Sequence, residues 1–336
     1  MPARDAGYCG GMQMPPPRGT LSQRVRDALA DSSTRPLASR PAPAADDHAD
    51  AMLSLWMLHE LHYRGFDGVD ERLEWDPALL GLRRRLEDDL EQDLRARFAR
   101  SGVRAESAEE IFRIAEEHEG PSLASYVHRH ATREQVLELL KARSVYHLKE
   151  SDPVSWVIPR LGPVAKAALM ELQYDEYGGG DPRRLHAHLF ALGLEACGLD
   201  AEYGAYLPET PTEVLEQNNV MSLFGLHRRL RGAALGHLAA FEATSSLPSR
   251  RLAQGMDRLD MPAEIQHYYR EHVEADAVHE QLAVRTICGA LLAESPDLLD
   301  DVILGAWTCL DQEDRIAQHF WDRWGLAAAP SSAGAA

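Results

Sequence analysis

From about residue 47 to residue 324, apolar residues recur at helical spacing, and alternating apolar/polar runs bounded by turns are scarce. Amphipathic stretches cover Ala49–Tyr63 and Pro77–Arg100, the second with a Leu79/Leu82/Leu86/Leu90/Leu94 stripe. Shorter helices are expected at Ala108–His118 and Ser122–Arg129, and a longer one from Arg133 to about Lys149, stopping at Ser151-Asp152-Pro153. Val164–Tyr177 ends at Gly178-Gly179-Gly180, and Asp181-Pro182 opens the next helix. Further helices are expected at Thr212–Asn218, Met221–Ser245, Ser249–Met256, Pro262–Leu292 (with a break near Gly289) and Pro296–Trp324. Such a pattern packs into an all-α bundle. Residues 1–46, rich in Pro, Ala, Ser and Arg, and the tail 327–336 lack this period and are expected to be disordered.

Within that bundle, the segment His272-Val-Glu-Ala-Asp276-Ala-Val-His279 is chemically conspicuous. Its two imidazoles and one carboxylate stand at i, i+4 and i+7, on one helical stripe. Ile265, Tyr269 and Ala283 share that stripe, while His267, Arg270, Glu274, Gln281 and Arg285 lie opposite. Polar groups on a core-facing stripe must be satisfied by partners. Either a hydrogen-bonded core network or a divalent metal ion does this.

A metal needs ligands from facing helices. Glu176 has Leu172, Leu169 and Ala165 on its face, His186 precedes Leu189, Phe190, Gly193 and Leu194, and Glu242 shares its side with Leu235, Leu238 and Ala239. Glu176 closes one helix and His186 opens the next across a Gly-rich turn, so a hairpin would bring them to one end of the bundle. Taken singly, each has an ordinary structural reading: a helix-end carboxylate, a capped core histidine, a buried salt-bridge partner. Carboxylates and imidazoles without thiolates suit iron or manganese better than structural zinc. Three acids and three histidines exceed what one catalytic ion with open positions needs, and a carboxylate-bridged ion pair fits the count. A ferritin-like site would carry two Glu-x-x-His motifs, but that spacing occurs here at Glu264–His267, on the polar side of its helix.

These segments resemble the heme-oxygenase-like diiron oxidases and oxygenases, the iron-containing redox enzymes. The resemblance rests on Leu148-Lys-Glu150-Ser-Asp-Pro153, Glu171-Leu-Gln-Tyr-Asp-Glu176-Tyr-Gly-Gly-Gly180, Leu185-His186-Ala-His-Leu-Phe190, Phe241-Glu242-Ala-Thr-Ser and the His272/Asp276/His279 run. It implies a heme-oxygenase-like bundle over 133–326 and a helical N-terminal extension over 47–132. It implies metal ligands at Glu176, His186, Glu242, His272, Asp276 and His279, with Glu150 placed as an additional carboxylate. It also implies two Fe ions, O₂ as co-substrate and a small metabolite (an amine, amino acid or fatty acid) that undergoes N-hydroxylation, oxidative C–C cleavage or decarboxylation, in specialised metabolism. An external electron donor and a homodimer are expected by analogy alone. The competing readings are a metal-free heme-oxygenase-like enzyme (a cofactor-independent oxidase or thiaminase-like protein), heme bound through His147, and a non-enzymatic helical binding protein.

A net charge of −18 disfavours nucleic acid and anionic membranes as partners. No apolar run is long enough to span a bilayer, and Met1–Thr20 lacks a signal-peptide pattern, so a cytoplasmic protein is expected. Cys9, Cys197, Cys288 and Cys309 lack metal-knuckle spacing and read as reduced thiols. His59-Glu60-Leu61-His62 lacks the i, i+4 pair of a zinc protease and reads as structural. His147, Tyr174, Tyr177 and Tyr269 flank the candidate ligands, with ordinary packing as the simpler role for each. Glu87–Glu91 with Arg83–Arg85 reads as a solvated charge run.

Overall fold

The computed structural model describes residues 12–30 and 42–326, except for the side chains of 274–278. The fold is all-α: among the described residues there are no strands, and Met12 and Phe66 form an isolated bridge. The N-terminal helices are α1 (Thr20–Ala30), α2 (His48–Glu60), α3 (Pro77–Ser101), α4 (Glu110–Glu116) and α5 (Leu123–Arg129). They are followed by α6 (Arg133–His147), α7 (Asp152–Ser155), α8 (Pro163–Glu176), α9 (His186–Ala196) and α10 (Thr212–Leu226). The chain closes with α11 (Arg231–Arg258), α12 (Ala263–Gln281), α13 (Gly289–Glu294) and α14 (Leu299–Arg323).

Local chemistry sets several of these boundaries. Asp76 accepts from the Ala78 and Leu79 amides ahead of Pro77, and α3 stops at Gly102, whose φ of 72° is left-handed. Thr132 and Gln135 cap α6 reciprocally. Between α12 and α13, residues Leu282–Cys288 form a π-helical turn in place of the break expected near Gly289.

The bundle centre is α11, which packs along α14 on one side and α12 on the other. Glycines permit the closest crossings. A β-carbon at Gly236 would run into the backbone of Val302, and one at Gly305 into the backbone of Ala233. On the other side, a β-carbon at Gly193 in α9 would come within 3.0 Å of the Ile265 Cα in α12. That tight crossing holds the later part of α9 against the beginning of α12, the helix that carries His272.

Three expectations are corrected. Part of the segment expected to be disordered, Thr20–Ala30, is helical: Leu21, Val25, Ala28 and Leu29 are buried and Asp50 accepts from the Leu21 and Ser22 amides. Its apolar stripe is only a few residues long and finds its partner in α2, so local composition masked it. Residues 1–11, 31–41 and 327–336 lie outside the described set. Secondly, α10 runs unbroken through Asn218 and Asn219, and the break falls at His227–Leu230 instead of Ser245–Ser249; α11 continues through Pro248. Buried residues on both sides of the proline, Glu242 before it and Ser249 and Ala253 after it, anchor that helix. Thirdly, Glu87 and Glu91 are not on a solvated face. Glu87 is buried and pairs with His59, Arg83 and His227, while Glu91 pairs with Arg95 and Arg229. The opposite side of α3 is covered by α2 and the turn before α11, which the sequence of α3 alone does not disclose.

His59 is structural, as its spacing suggested: its ring joins Asn219 Oδ1 and Glu87 Oε1, each at 3.0 Å.

Candidate metal centre

Six ionisable side chains from five parts of the chain meet in the interior. The turn after α6 supplies Glu150, the end of α8 Glu176, the start of α9 His186, mid-α11 Glu242, and α12 both His272 and His279. All six are buried. They form two adjacent groups, each able to hold a metal ion: Glu150/His186/His272 and Glu176/Glu242/His279, with one ligand atom per residue and all such atoms in a group within 4.8 Å of one another.

The α8–α9 hairpin brings the two groups together. Gly178, Gly179 and Gly180 have φ of 73°, 64° and 85°, the left-handed region that glycine enters without steric cost. The loop then folds so tightly that a β-carbon on Gly178 would stand 2.6 Å from the Leu185 amide nitrogen. Glu176 Oε2 thereby lies 3.2 Å from His186 Nδ1, in the other group. Its second oxygen lies 3.8 Å from His279 Nδ1, which is itself 3.6 Å from Glu242 Oε2. Glu176 thus stands between the groups. In the first group, His272 Nε2 is 3.5 Å from Glu150 Oε1, and the His186 and His272 rings have centroids 4.7 Å apart.

A surrounding shell orients these side chains. Tyr268 donates to Glu150 Oε2 at 2.9 Å and contacts His147 Nδ1 at 2.7 Å. His272 Nδ1 points at the Tyr268 carbonyl oxygen at 2.8 Å, leaving Nε2 to face the site. Asp175 Oδ2 stands 3.3 Å from His279 Nε2, directing Nδ1 inward. Ser151 donates to Glu176 Oε2 at 3.0 Å.

Burial and charge oppose one another here. Burial pushes Glu150 up, but His272 and His147 beside it hold its carboxyl well below the ordinary range. Burial likewise raises Glu176, and His186 outweighs it. For His279, burial is overcome by Glu242, Glu176 and Asp175, which lift it to about 9. His186 is raised by Glu176 against burial. The carboxylates and imidazoles of the two groups thus shift one another in opposite directions, each favouring the charged form of its neighbour.

The donor set fits such a cation. It contains carboxylate oxygens and imidazole nitrogens with no thiolate; Cys288 and Cys309 are buried free thiols outside both groups. The inward nitrogens His186 Nδ1 and His279 Nδ1 are buried and have no aligned hydrogen-bond partner among the described residues. Both nitrogens face carboxylates at 3.2–3.8 Å, as donor atoms converging on one point would.

Of the candidate ligands read from the sequence, Glu150, Glu176, His186, Glu242, His272 and His279 are brought together, and the Asp276 side chain lies outside the described residues. Among the flanking candidates, His147 touches Glu150, whereas Tyr177 bonds Asp152 and Ser155 one layer out. Tyr269 packs edge-on against Tyr268, and Tyr174 is 58% exposed. Sequence reasoning missed Tyr268 and Asp175. Tyr268 lies one helical turn before His272, and Asp175 adjoins Glu176, so helical spacing from the ligands was the available signal for the first.

Next to the second group lies a small, mainly apolar pocket with room for about 40 Å³. Phe224, Leu238 and Phe241 contribute to its wall, together with Glu176, Glu242, Tyr146 and His237. Burial holds His237 at about 4, hence neutral near pH 7, and its Nε2 has no hydrogen-bond partner among the described residues.

No helix among the described residues is long and apolar enough to cross a membrane. A family model described as iron-containing redox enzyme matches residues 137–314, more than half the chain and a span that includes every member of both groups. No curated protein matches the chain.

Proposed function

This chain belongs to the iron-containing redox enzyme family, and we propose that it is a non-heme oxidoreductase that uses two irons and O₂ to oxidise a small organic molecule. The observation that carries this reading is the pairing of two buried carboxylate–imidazole groups through Glu176. A single structural ion has no use for a second complete group beside it.

Glu150, His186 and His272 would hold one iron, and Glu176, Glu242 and His279 the other. Bound iron supplies the one-electron chemistry with O₂ that side chains lack. The protein's own part is positional. Tyr268 and Asp175 fix the ring orientations of His272 and His279, and Ser151 holds Glu176 between the two groups. Phe224, Leu238 and Phe241 give the face of the centre beside Glu176 and Glu242 an apolar lining. The apolar lining suits an uncharged or weakly polar portion of substrate, with neutral His237 offering one hydrogen bond. An apolar substrate segment is favoured over a carboxylate or ammonium there, since no formal counter-charge besides the two ligand glutamates lines the wall.

Anaerobic titration with Fe(II) tests the assignment. About two irons per chain should bind, and a pulse of O₂ should then produce a transient visible absorption. Binding of one iron or none overturns the two-iron reading. A Soret band on heme addition, with no Fe(II) uptake, would favour heme held by His147.

A further inference from the structure

Lys149 is the residue before Glu150, and it is only 1% exposed. Lysine is almost never so buried without a partner. Its partner comes from the N-terminal part of the chain: Nζ lies 3.1 Å from Glu60 Oε2, at the last residue of α2, and Glu60 is fully buried too. Tyr203 donates to the same Glu60 oxygen at 2.9 Å. The Lys149 ammonium stands 4.3 Å from the Tyr63 ring centroid and 5.6 Å from that of Trp56, so aromatic faces enclose it. Four residues past Glu60, Arg64 donates to the Leu148 carbonyl oxygen at 2.6 Å and stacks over Tyr203.

The next two residues turn the other way. Glu150 meets Tyr268, His147 and His272, and Ser151 donates to Glu176. Ser151 has φ of 69°, a left-handed conformation that is costly for a non-glycine residue and persists only where neighbours over-determine it. The turn 148–151 is therefore gripped on one side by α2 and its following loop, and on the other it presents a carboxylate to the metal centre.

We infer that the N-terminal helices complete the metal centre without reaching it: the Glu60–Lys149 ion pair and the Arg64–Leu148 hydrogen bond are positioning contacts that set Glu150 in register with His186 and His272. This rests on the reading of Glu150 as an iron-site carboxylate. A buried ion pair adds little net stability relative to apolar groups of similar shape, which leaves placement of the turn as the role of this one.

Co(II) titration of the full chain, followed by visible absorption, tests it. Wild type should bind two Co(II). The Glu60→Gln/Lys149→Met double variant should keep the Glu176/Glu242/His279 site and bind the other Co(II) about 10–100-fold more weakly, the usual scale for a lost outer-shell contact. Lys149→Arg, which keeps the charge, should recover most of that loss. His59→Gln loosens the α2–α3 seam without touching the turn and should retain both sites, so general destabilisation of α2 is distinguished from misplacement of Glu150. If the double variant does not fold, Glu60→Gln alone is read the same way, since the amide still accepts from Tyr203. Two Co(II) bound as in wild type, or equal weakening of both sites, overturns the inference. A wild-type chain that binds no Co(II) overturns the metal reading itself.

Discussion

Glu176 Oε2 lies 3.2 Å from His186 Nδ1, although the two residues belong to different candidate metal groups and to different helices. The Gly178–Gly180 turn is what makes that approach, since its three left-handed residues reverse the chain within one short loop. Among the six, Glu176 is the carboxylate that faces imidazoles of both groups, His186 and His279.

Substitution of Glu176 should for that reason be more damaging than any other single ligand change. Glu176→Ala is expected to abolish tight binding of both irons, whereas Glu242→Ala or His272→Ala should leave about one iron per chain. Metal analysis after Fe(II) loading and desalting decides this. Retention of one tightly held iron by Glu176→Ala would show that the carboxylate serves a single ion.

The hairpin can be tested separately from the ligands. In Gly178→Ala the new β-carbon would meet the Leu185 amide nitrogen at 2.6 Å as well as a φ of 73°, so the loop must open. Gly198→Ala has the same backbone problem, with φ of 78°, but open space around it. Both should lose about 1–2 kcal/mol from the left-handed conformation, read by chemical denaturation. Gly178→Ala alone should also weaken iron binding at least about tenfold by separating Glu176 from His186.

His237→Leu removes a buried imidazole nitrogen that has no described partner. An unsatisfied buried polar atom costs about 1–3 kcal/mol, so the variant should melt no lower than wild type, and higher if the leucine fits. Iron stoichiometry should not change, because His237 belongs to neither group. A marked fall in melting temperature would mean that the ring is held by contacts that the leucine cannot replace.

Acid stability should depend on Glu216, which is buried between His48, Arg97, Gln312 and Arg315. Burial raises its carboxyl, yet His48, Gln312 and the two arginines bring it down to about 2. A carboxylate depressed on folding stabilises the native state above its unfolded value, near 4.5, and that contribution is lost as pH falls toward 2. The full shift corresponds to the order of 3 kcal/mol. In Glu216→Gln, unfolding free energy should be lower at pH 6 and should fall less steeply between pH 5 and pH 2.5 than in wild type. Parallel pH profiles would exclude Glu216 as a source of acid sensitivity.

The helical class was legible without coordinates because it depends on local periodicity: the leucine stripe of α3, the Asp76-Pro77 and Thr132–Gln135 caps, and the glycine stop after α8 all act within a few residues of themselves. Most of the centre was legible for a related reason. An acid or imidazole on an otherwise apolar stripe is out of place under any fold that buries the stripe, and Glu176, His186, Glu242, His272 and His279 all stand out in that way. Glu150 did not, because it sits in a turn with no stripe to violate; it came from the family resemblance alone.

Contacts between distant segments were decided only in three dimensions. Glu87 reads as one more charge on a charged helix until His227, 140 residues away, is set against it, and Lys149 reads as a surface lysine until Glu60 is. The short stripe of α1 finds α2 across residues outside the described set, and α11 passes through Pro248 because packing on both flanks outweighs one lost ladder bond. Periodicity and misplaced polarity are properties of the chain's own order, so they specified the bundle and named most of the inward-facing groups. The division of those groups into two sets, with Glu176 between them, is a matter of distance across helices, and close-packed tertiary structure alone fixes such distances.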